Sequence, residues 1–208
     1  MHMASPRWLL WVVAAAALFL ATACADKTIT LQYRPDPQIA ALAGLQPLTI
    51  FKLTDRRGDE GDRDPYRVGG VYGAYGNRAW RVMVTTPFQT VLLDALVAGF
   101  KSRGVAVIRE EGESSAGLSF STPLALAGEI RNFSAETRFT NTAHVSGIIR
   151  LLDRQGAMLV EKEVSARAQG GPSFVNTPLE TLLNDALGDF VRKIVTDQDI
   201  AARMMGSR

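Results

Sequence analysis

Leu124-Ala125-Leu126-Ala127-Gly128-Glu129-Ile130, then Val145-Ser146-Gly147-Ile148-Ile149-Arg150-Leu151, then Met158-Leu159-Val160-Glu161-Lys162-Glu163-Val164 decide the fold. In each run the large apolar side chains recur at every second position. Leu124, Leu126, Gly128 and Ile130 share one face, as do Val145, Gly147, Ile149 and Leu151. A period of two is the signature of a strand with one buried side. Asp153-Arg154-Gln155-Gly156 is a short hairpin connection between the second and third runs. The three runs are therefore expected to form an antiparallel meander.

On either side of the meander the period changes to that of a helix. Thr86-Pro87-Phe88-Gln89 has the form of an N-cap, a proline in the first turn and a capping-box partner. Phe88, Val91, Leu92, Ala95, Leu96 and Phe100 then fall on one face, and Gly104 supplies the stop. Thr177-Pro178-Leu179-Glu180 repeats the pattern before Leu182, Leu183, Ala186, Leu187, Phe190, Val191 and Ile194. Residues 86–96 and 177–187 both read Thr-Pro-x-x-Thr-x-Leu-x-Asp-Ala-Leu. The flanking strands do not repeat, so two helices solving one packing problem is preferred to a duplication.

Upstream, Leu48 to Leu53 reads as a strand ending at the charged turn Asp55-Arg56-Arg57-Gly58. A long loop rich in charge and then in glycine and tyrosine follows. Trp80, Val82 and Val84 alternate as a short strand, Val105 to Arg109 as another, and Glu110 to Thr122 as a polar loop. The expected fold class is α+β: a mixed, mainly antiparallel sheet of about five strands with two amphipathic helices packed on one face. Its single domain spans 47–200, with a C-terminal tail at 201–208.

The N-terminus is of another kind. Arg7 precedes an uncharged run from Trp8 to Ala21, too short for the roughly 20 apolar residues of a membrane span and shaped like a signal peptide, residues 1–23. Ala21-Thr22-Ala23 is a small-residue cleavage site, and Cys24, the one cysteine in the chain, follows it. A free thiol at the end of a secreted chain is a liability, whereas an acylated cysteine is an anchor. Lipidation of Cys24 with fatty acyl chains such as palmitate is preferred to simple secretion, although Ala21 stands where a lipobox usually has leucine. Two or more chains hold a protein stably on a bilayer. Ala25, with no aspartate directly after the cysteine, favours an outer-membrane location on the periplasmic side. Residues 24–46 read as a lipidated tether stiffened by Pro35-Asp36-Pro37, or as a short edge strand through Ile29, Leu31 and Tyr33.

Little in the rest of the chain carries chemistry. Once His2 leaves with the signal peptide, His144 is the remaining histidine, and a structural zinc site needs four Cys/His ligands. The glycines from Gly69 to Gly76 lack the Gly-Lys-Ser/Thr ending of a phosphate loop. Asp55, Asp59, Glu60, Asp62 and Asp64 lack EF-hand spacing and are interleaved with Arg56, Arg57 and Arg63, so they read as a solvated turn. Glu110, Glu111 and Glu113 read as loop charges. No catalytic residue, metal or cofactor is assigned. Loss of Arg7 from the 23 Lys and Arg leaves 22 against 21 Asp and Glu, a balance that gives no reason to expect nucleic acid.

Tyr66, Tyr72, Tyr75 and Trp80 form a candidate partner-binding loop, because aromatic side chains offer broad amphipathic contact and glycines allow close approach. The competing reading is a flexible insertion whose aromatics cover a sheet edge.

The pattern resembles the YajG family of bacterial lipoproteins. The resemblance rests on Ala-Thr-Ala-Cys24, the Asp55-Arg56-Arg57 turn, and the helix ending Lys101-Ser102-Arg103-Gly104 before Val105. It continues through the Leu124 to Phe133 strand, the hairpin at Gly156 and the final helix running into Thr196-Asp197-Gln198-Asp199-Ile200. It implies an outer-membrane lipoprotein of undefined role, with no catalytic residues to carry over. The leading expectation is thus a non-enzymatic envelope lipoprotein that binds another envelope protein. The alternatives are an auxiliary lipoprotein of an envelope lipid or ABC-type transport system, holding an acyl ligand between helices and sheet, and, more remotely, a hydrolase using paired carboxylates.

Overall fold

The computed structural model describes residues 26–58, 64–73, 75–113, 120–172 and 178–206. The signal peptide, Cys24, Thr177 and the acidic run 59–63 lie outside the described residues.

The meander stands as expected and is the spine of the molecule. Strands β7 (Leu124–Thr137), β8 (Thr140–Asp153) and β9 (Met158–Pro172) pair antiparallel in sequence order. Each is far longer than the runs that announced it, and β9 continues through Gly170 and Gly171. The register of β7 on β8 shifts between Ile130 and Asn132, and this bulge bends the ladder.

A strand as long as β7 presents more hydrogen-bonding groups on its second edge than one short partner can satisfy. Three strands therefore share that edge end to end, all parallel to it: β2 (Leu48–Lys52), β3 (Thr54–Asp55) and β4 (Arg67–Tyr72). Beyond β2 lies β6 (Val107–Glu113), parallel to it. Beyond β4 lies β5 (Arg78–Val84), antiparallel, and then β1 (Lys27–Ile29), parallel to β5. The sheet among the described residues thus has nine strands, not about five. It is mixed, with the long pairings antiparallel. The uncounted strands β1, β3 and β4 span two to six residues, too few alternations for a period of two to register. Glu110, Glu111 and Glu113 belong to β6, not to a loop.

Helices α1 (Phe88–Ser102) and α2 (Leu179–Val195) pack on one face of the sheet. The opposite face carries a small cluster of Phe51, Ala125 and Ala127 under Phe120 and Leu152. Between helices and sheet the side chains of Phe88, Phe100, Phe133 and Phe190 are fully buried. The Phe88 and Phe133 rings pack at 4.9 Å between centroids.

The capping boxes are not what starts these helices. Pro87 and Pro178 occupy the N-cap positions, and neither helix has a side-chain cap. The Gln89 amide instead turns inward and donates to the Leu53 carbonyl at 3.3 Å. The Glu180 carboxylate accepts from the Thr30 backbone N–H at 3.2 Å. Both side chains satisfy backbone groups of a neighbouring segment, which tertiary packing makes the stronger demand.

Two boundaries also move. The tether of residues 24–46 is, from Asp26 onward, part of the body. β1 joins the sheet edge, Leu31 is buried, and the Gln32 N–H donates to Asn184 Oδ1 at 2.9 Å. The Leu42 N–H donates to the Arg103 carbonyl at 3.0 Å and the Gln46 N–H to the Met204 carbonyl at 2.9 Å. At the other end the chain breaks at Asp197, whose carboxylate caps α3 (Gln198–Met204). Ile200 and Met204 are buried, so the first four residues of the expected tail are a structural helix.

α1 and α2 approach closely at Gly99. A Cβ there would lie 2.8 Å from Val191 Cγ1 and 3.0 Å from Val195 Cγ2. Alanine gains about 1 kcal/mol of helix propensity, but forcing a methyl against stiff β-branched neighbours costs about 1–3 kcal/mol. Gly99→Ala is therefore expected to lower the melting temperature. Gly188→Ala on α2, where a Cβ meets nothing within 4 Å, is expected to raise it.

Candidate functional site

The glycine-tyrosine stretch is not a loop but a hairpin of β4 and β5, and its glycines have distinct tasks. Gly69 has φ 149°, and a Cβ there would stand 1.9 Å from the Ala135 carbonyl oxygen, so a side chain would part β4 from β7. Gly76, at φ 76°, turns the chain: its N–H donates to the Gly73 carbonyl and the Gly73 N–H to the Asn77 carbonyl, each at 2.9 Å.

Because β4 runs parallel to β7, with Val71 opposite Thr137, the tip of this hairpin lies beside the turn from β7 to β8. That turn carries Arg138 and Phe139. The Arg138 guanidinium lies 4.5 Å over the Tyr72 ring and pairs with Glu136 at 3.3 Å. Tyr75 at one tip is 99% exposed and Phe139 at the other 85%. Trp80 keeps the facing of Val82 and Val84, but lies beyond the end of the core and is exposed.

The structure therefore brings Tyr72, Tyr75 and Trp80 to one end of the sheet. It leaves Tyr66 out, at the root of β4, where its carbonyl accepts from the Val84 N–H. It adds Phe139, whose place in Thr137-Arg138-Phe139-Thr140 was open to notice: a large aromatic residue in a tight turn has no core to enter.

In the charged turn Arg56, Gly58 and Asp64 are exposed as expected, but Asp55 and Arg57 are not solvated. Arg57 and Asp55 are only 12% and 11% exposed and pair at 3.0 Å. The guanidinium also donates to the carbonyls of Arg67 at 2.8 Å and Asp64 at 3.1 Å, and stacks 3.8 Å over Phe88. One side chain thus joins β3, the root of the β4–β5 hairpin and the start of α1.

No family model matches the chain, and no curated protein does. Solved structures do. A crystal structure of a Xanthomonas campestris protein assigned to the family of unknown function DUF330 matches at 16% identity with a TM-score of 0.58, over 86% of this chain and 96% of that one. The fold is shared with that protein. A second crystal structure, of an uncharacterized protein, matches at 12% identity and a TM-score of 0.51, over 82% of this chain and 97% of that one.

Phe88, Phe100, Phe133 and Phe190 occupy the layer between helices and sheet in which an acyl ligand would have to lie. What opens to solvent are polar surface clefts. One of about 560 Å³ runs between residues 32–36 and α2, lined by Asp36, Glu180, Asp185, Asp189 and Arg192 among others. Asp36, Glu180 and Asp189 are engaged. Burial alone would raise the pKa of Asp189, but hydrogen bonds from Lys193 and Arg192 outweigh it and hold the carboxyl below its ordinary value. Glu180 receives the Thr30 N–H. Among the described residues no group of three His, Cys, Asp or Glu could hold a metal ion, and no helix is long and apolar enough to cross a membrane.

His144 on β8 shares a 3.0 Å hydrogen bond with the Ser165 hydroxyl. Burial, and then the Arg167 charge, lower its pKa. The folded state thus disfavours the imidazolium. The stability this confers is complete above the unfolded value of about 6.5 and is lost as pH falls below it. The urea midpoint is expected to fall between pH 7.5 and 5. In His144→Gln the part of that fall owed to the histidine disappears.

Proposed function

We propose that the protein is a lipid-anchored component of a bacterial envelope, held on the periplasmic side of the outer membrane by acyl chains on Cys24, whose folded domain docks a second envelope protein. The observation that carries this reading is the single cysteine after a cleavable apolar segment, two residues before Asp26, where the chain enters the folded body. An anchor so placed leaves almost no slack, so the body stands directly on the membrane surface.

Two features support a binding role over a catalytic one. The core is packed with aromatic side chains, and Asp36, Glu180 and Asp189 of the cleft beside α2 are committed to structural contacts. The likeness to the YajG family belongs to the same reading and rests on the sequence features alone.

Mass spectrometry of the purified mature chain tests the anchor. An N-terminal peptide beginning at Cys24 and carrying acyl mass is the expected result, with Cys24→Ala moving the protein from the membrane fraction to the soluble one. An unmodified Cys24, or a wild-type chain already soluble, overturns it. Cross-linking in intact envelopes tests the docking role, which fails if the wild-type chain yields no adduct beyond those of Cys24→Ala.

A further inference from the structure

We infer that the end of the sheet bearing Tyr75, Phe139 and Trp80 is the face the protein sets against the lipid headgroups. The inference rests on the anchor reading above and gives it an orientation.

The direction of β1 carries the step. β5 runs inward from the hairpin tip, from Arg78 to Val84, and β1 lies parallel to it with Lys27 opposite Val82 and Ile29 opposite Val84. The chain that precedes Lys27 therefore reaches the body from the tip side, not from the helical face or the far end of the meander. Asp26 is the first described residue, and 25 residues precede it. Covalent geometry keeps Cys24 within about 7 Å of Asp26. Acyl chains on Cys24 thus bring the bilayer to this end of the molecule, whichever way the intervening residues turn.

At that end stand the features a headgroup region selects. Trp and Tyr concentrate where an apolar ring meets polar headgroups, and here Tyr75 and Phe139 are almost fully exposed and Trp80 is 44% exposed. Their exposure would be a liability on a body facing water. Around them lie the exposed Lys27, Arg78, Arg81 and Arg138, and cations beside apolar residues favour anionic lipid. At about 3.3 Å per residue the hairpin runs further in this direction than the anchor reaches, so Tyr75 meets the lipid before the core does. Arg138 stacked on Tyr72 ties the two tips into one surface. The helical face and the free edge of β9 point elsewhere and remain open to a protein partner.

The mature chain supplies its own probe. Of three tryptophans, Trp8 and Trp11 leave with the signal peptide, and Trp80 alone remains. The lipidated full mature chain is reconstituted into vesicles of phosphatidylethanolamine and phosphatidylglycerol, with and without brominated acyl chains. Emission and acrylamide accessibility are read on the fraction that floats with the vesicles.

The expected result is a blue shift of Trp80 emission, loss of acrylamide quenching and loss of intensity with brominated lipid. Tyr75→Ser combined with Phe139→Ser should reverse much of each change while flotation is unaltered, since both side chains are exposed and the anchor is intact. Flotation with Trp80 as accessible to acrylamide as in the lipid-free chain overturns the orientation and leaves the anchor standing. Shielding from acrylamide without quenching by brominated lipid also overturns it, assigning the tips to contacts between copies of the chain. A chain that does not float and shows no lipid quenching overturns anchor and orientation together.

Discussion

Gly128→Val sharply lowers the urea midpoint of the mature chain. Strand propensity alone predicts the opposite, because valine is among the best strand formers and glycine among the poorest. The site reverses that order. Gly128 holds φ 151°, where side chains are strained, and a Cβ built on it would stand 2.1 Å from the Ile148 carbonyl oxygen. That oxygen belongs to the backbone of β8, so no rotamer change relieves the overlap. Gly147 on β8 approaches β7 in the same way, with its Cβ position 2.3 Å from the Glu129 carbonyl oxygen.

The two glycines lie on the same side of the register shift between Ile130 and Asn132 and let the strands close up beside the bulge. A side chain at either would part the central ladder, to which β2, β3 and β4 are also attached. The expected loss is about 4 kcal/mol or more, the exceptional class for one substitution, against a total stability of about 5–15 kcal/mol. Urea titration followed by circular dichroism reads it. Gly112→Ala, where a Cβ meets nothing within 4 Å, is the matched control and should leave the midpoint unchanged or higher. A Gly128→Val chain that unfolds at the wild-type midpoint would show that the ladder does not need this close approach.

The second large effect belongs to Arg57. Arg57→Ala removes the partner of a carboxylate that is 11% exposed and takes a side-chain donor from three backbone carbonyls, those of Asp64, Arg67 and Phe133. Breaking one side of a buried pair costs about 3–5 kcal/mol, because the remaining charge stays buried and unmatched. Lost stacking on Phe88 adds to this. Arg57→Lys should recover little, since a single ammonium cannot reproduce the planar fork that spans Asp55 and the carbonyls. Asp55→Asn placed on Arg57→Ala should restore part of the loss by removing the stranded charge. A fall of the urea midpoint in the single variant without partial recovery in the double one would place the cost in lost packing instead of in the pair.

Both positions show how legibility depended on length. The alternation in β7, β8 and β9 continues for enough residues that one face declares itself. The helices are equally plain, because Phe88 to Phe100 and Leu179 to Ile194 each place several large side chains on one stripe. β1, β3 and β4 were illegible as firm strands for the opposite reason. Their membership depends on an unfilled edge of β7, not on their own composition. Gln89 and Glu180 look like capping residues from local spacing, and local spacing is what packing overrides when a neighbouring backbone group is left unpaired. Asp55 and Arg57 look like solvated charges because a charge pattern carries no information about what lies over it.

The sequence by itself determined the meander, the two amphipathic helices on one face of a sheet, and the signal-like segment ending at Cys24, because each is written in a local period or a local composition. Only the tertiary structure decided that β7 gathers three short strands, that Arg57 is a buried joint, and that Tyr75, Trp80 and Phe139 stand at one end of the sheet. These follow from pairings between residues tens of positions apart, whose energy comes from filling an edge or burying a charge, and no local pattern records which distant segment will do it.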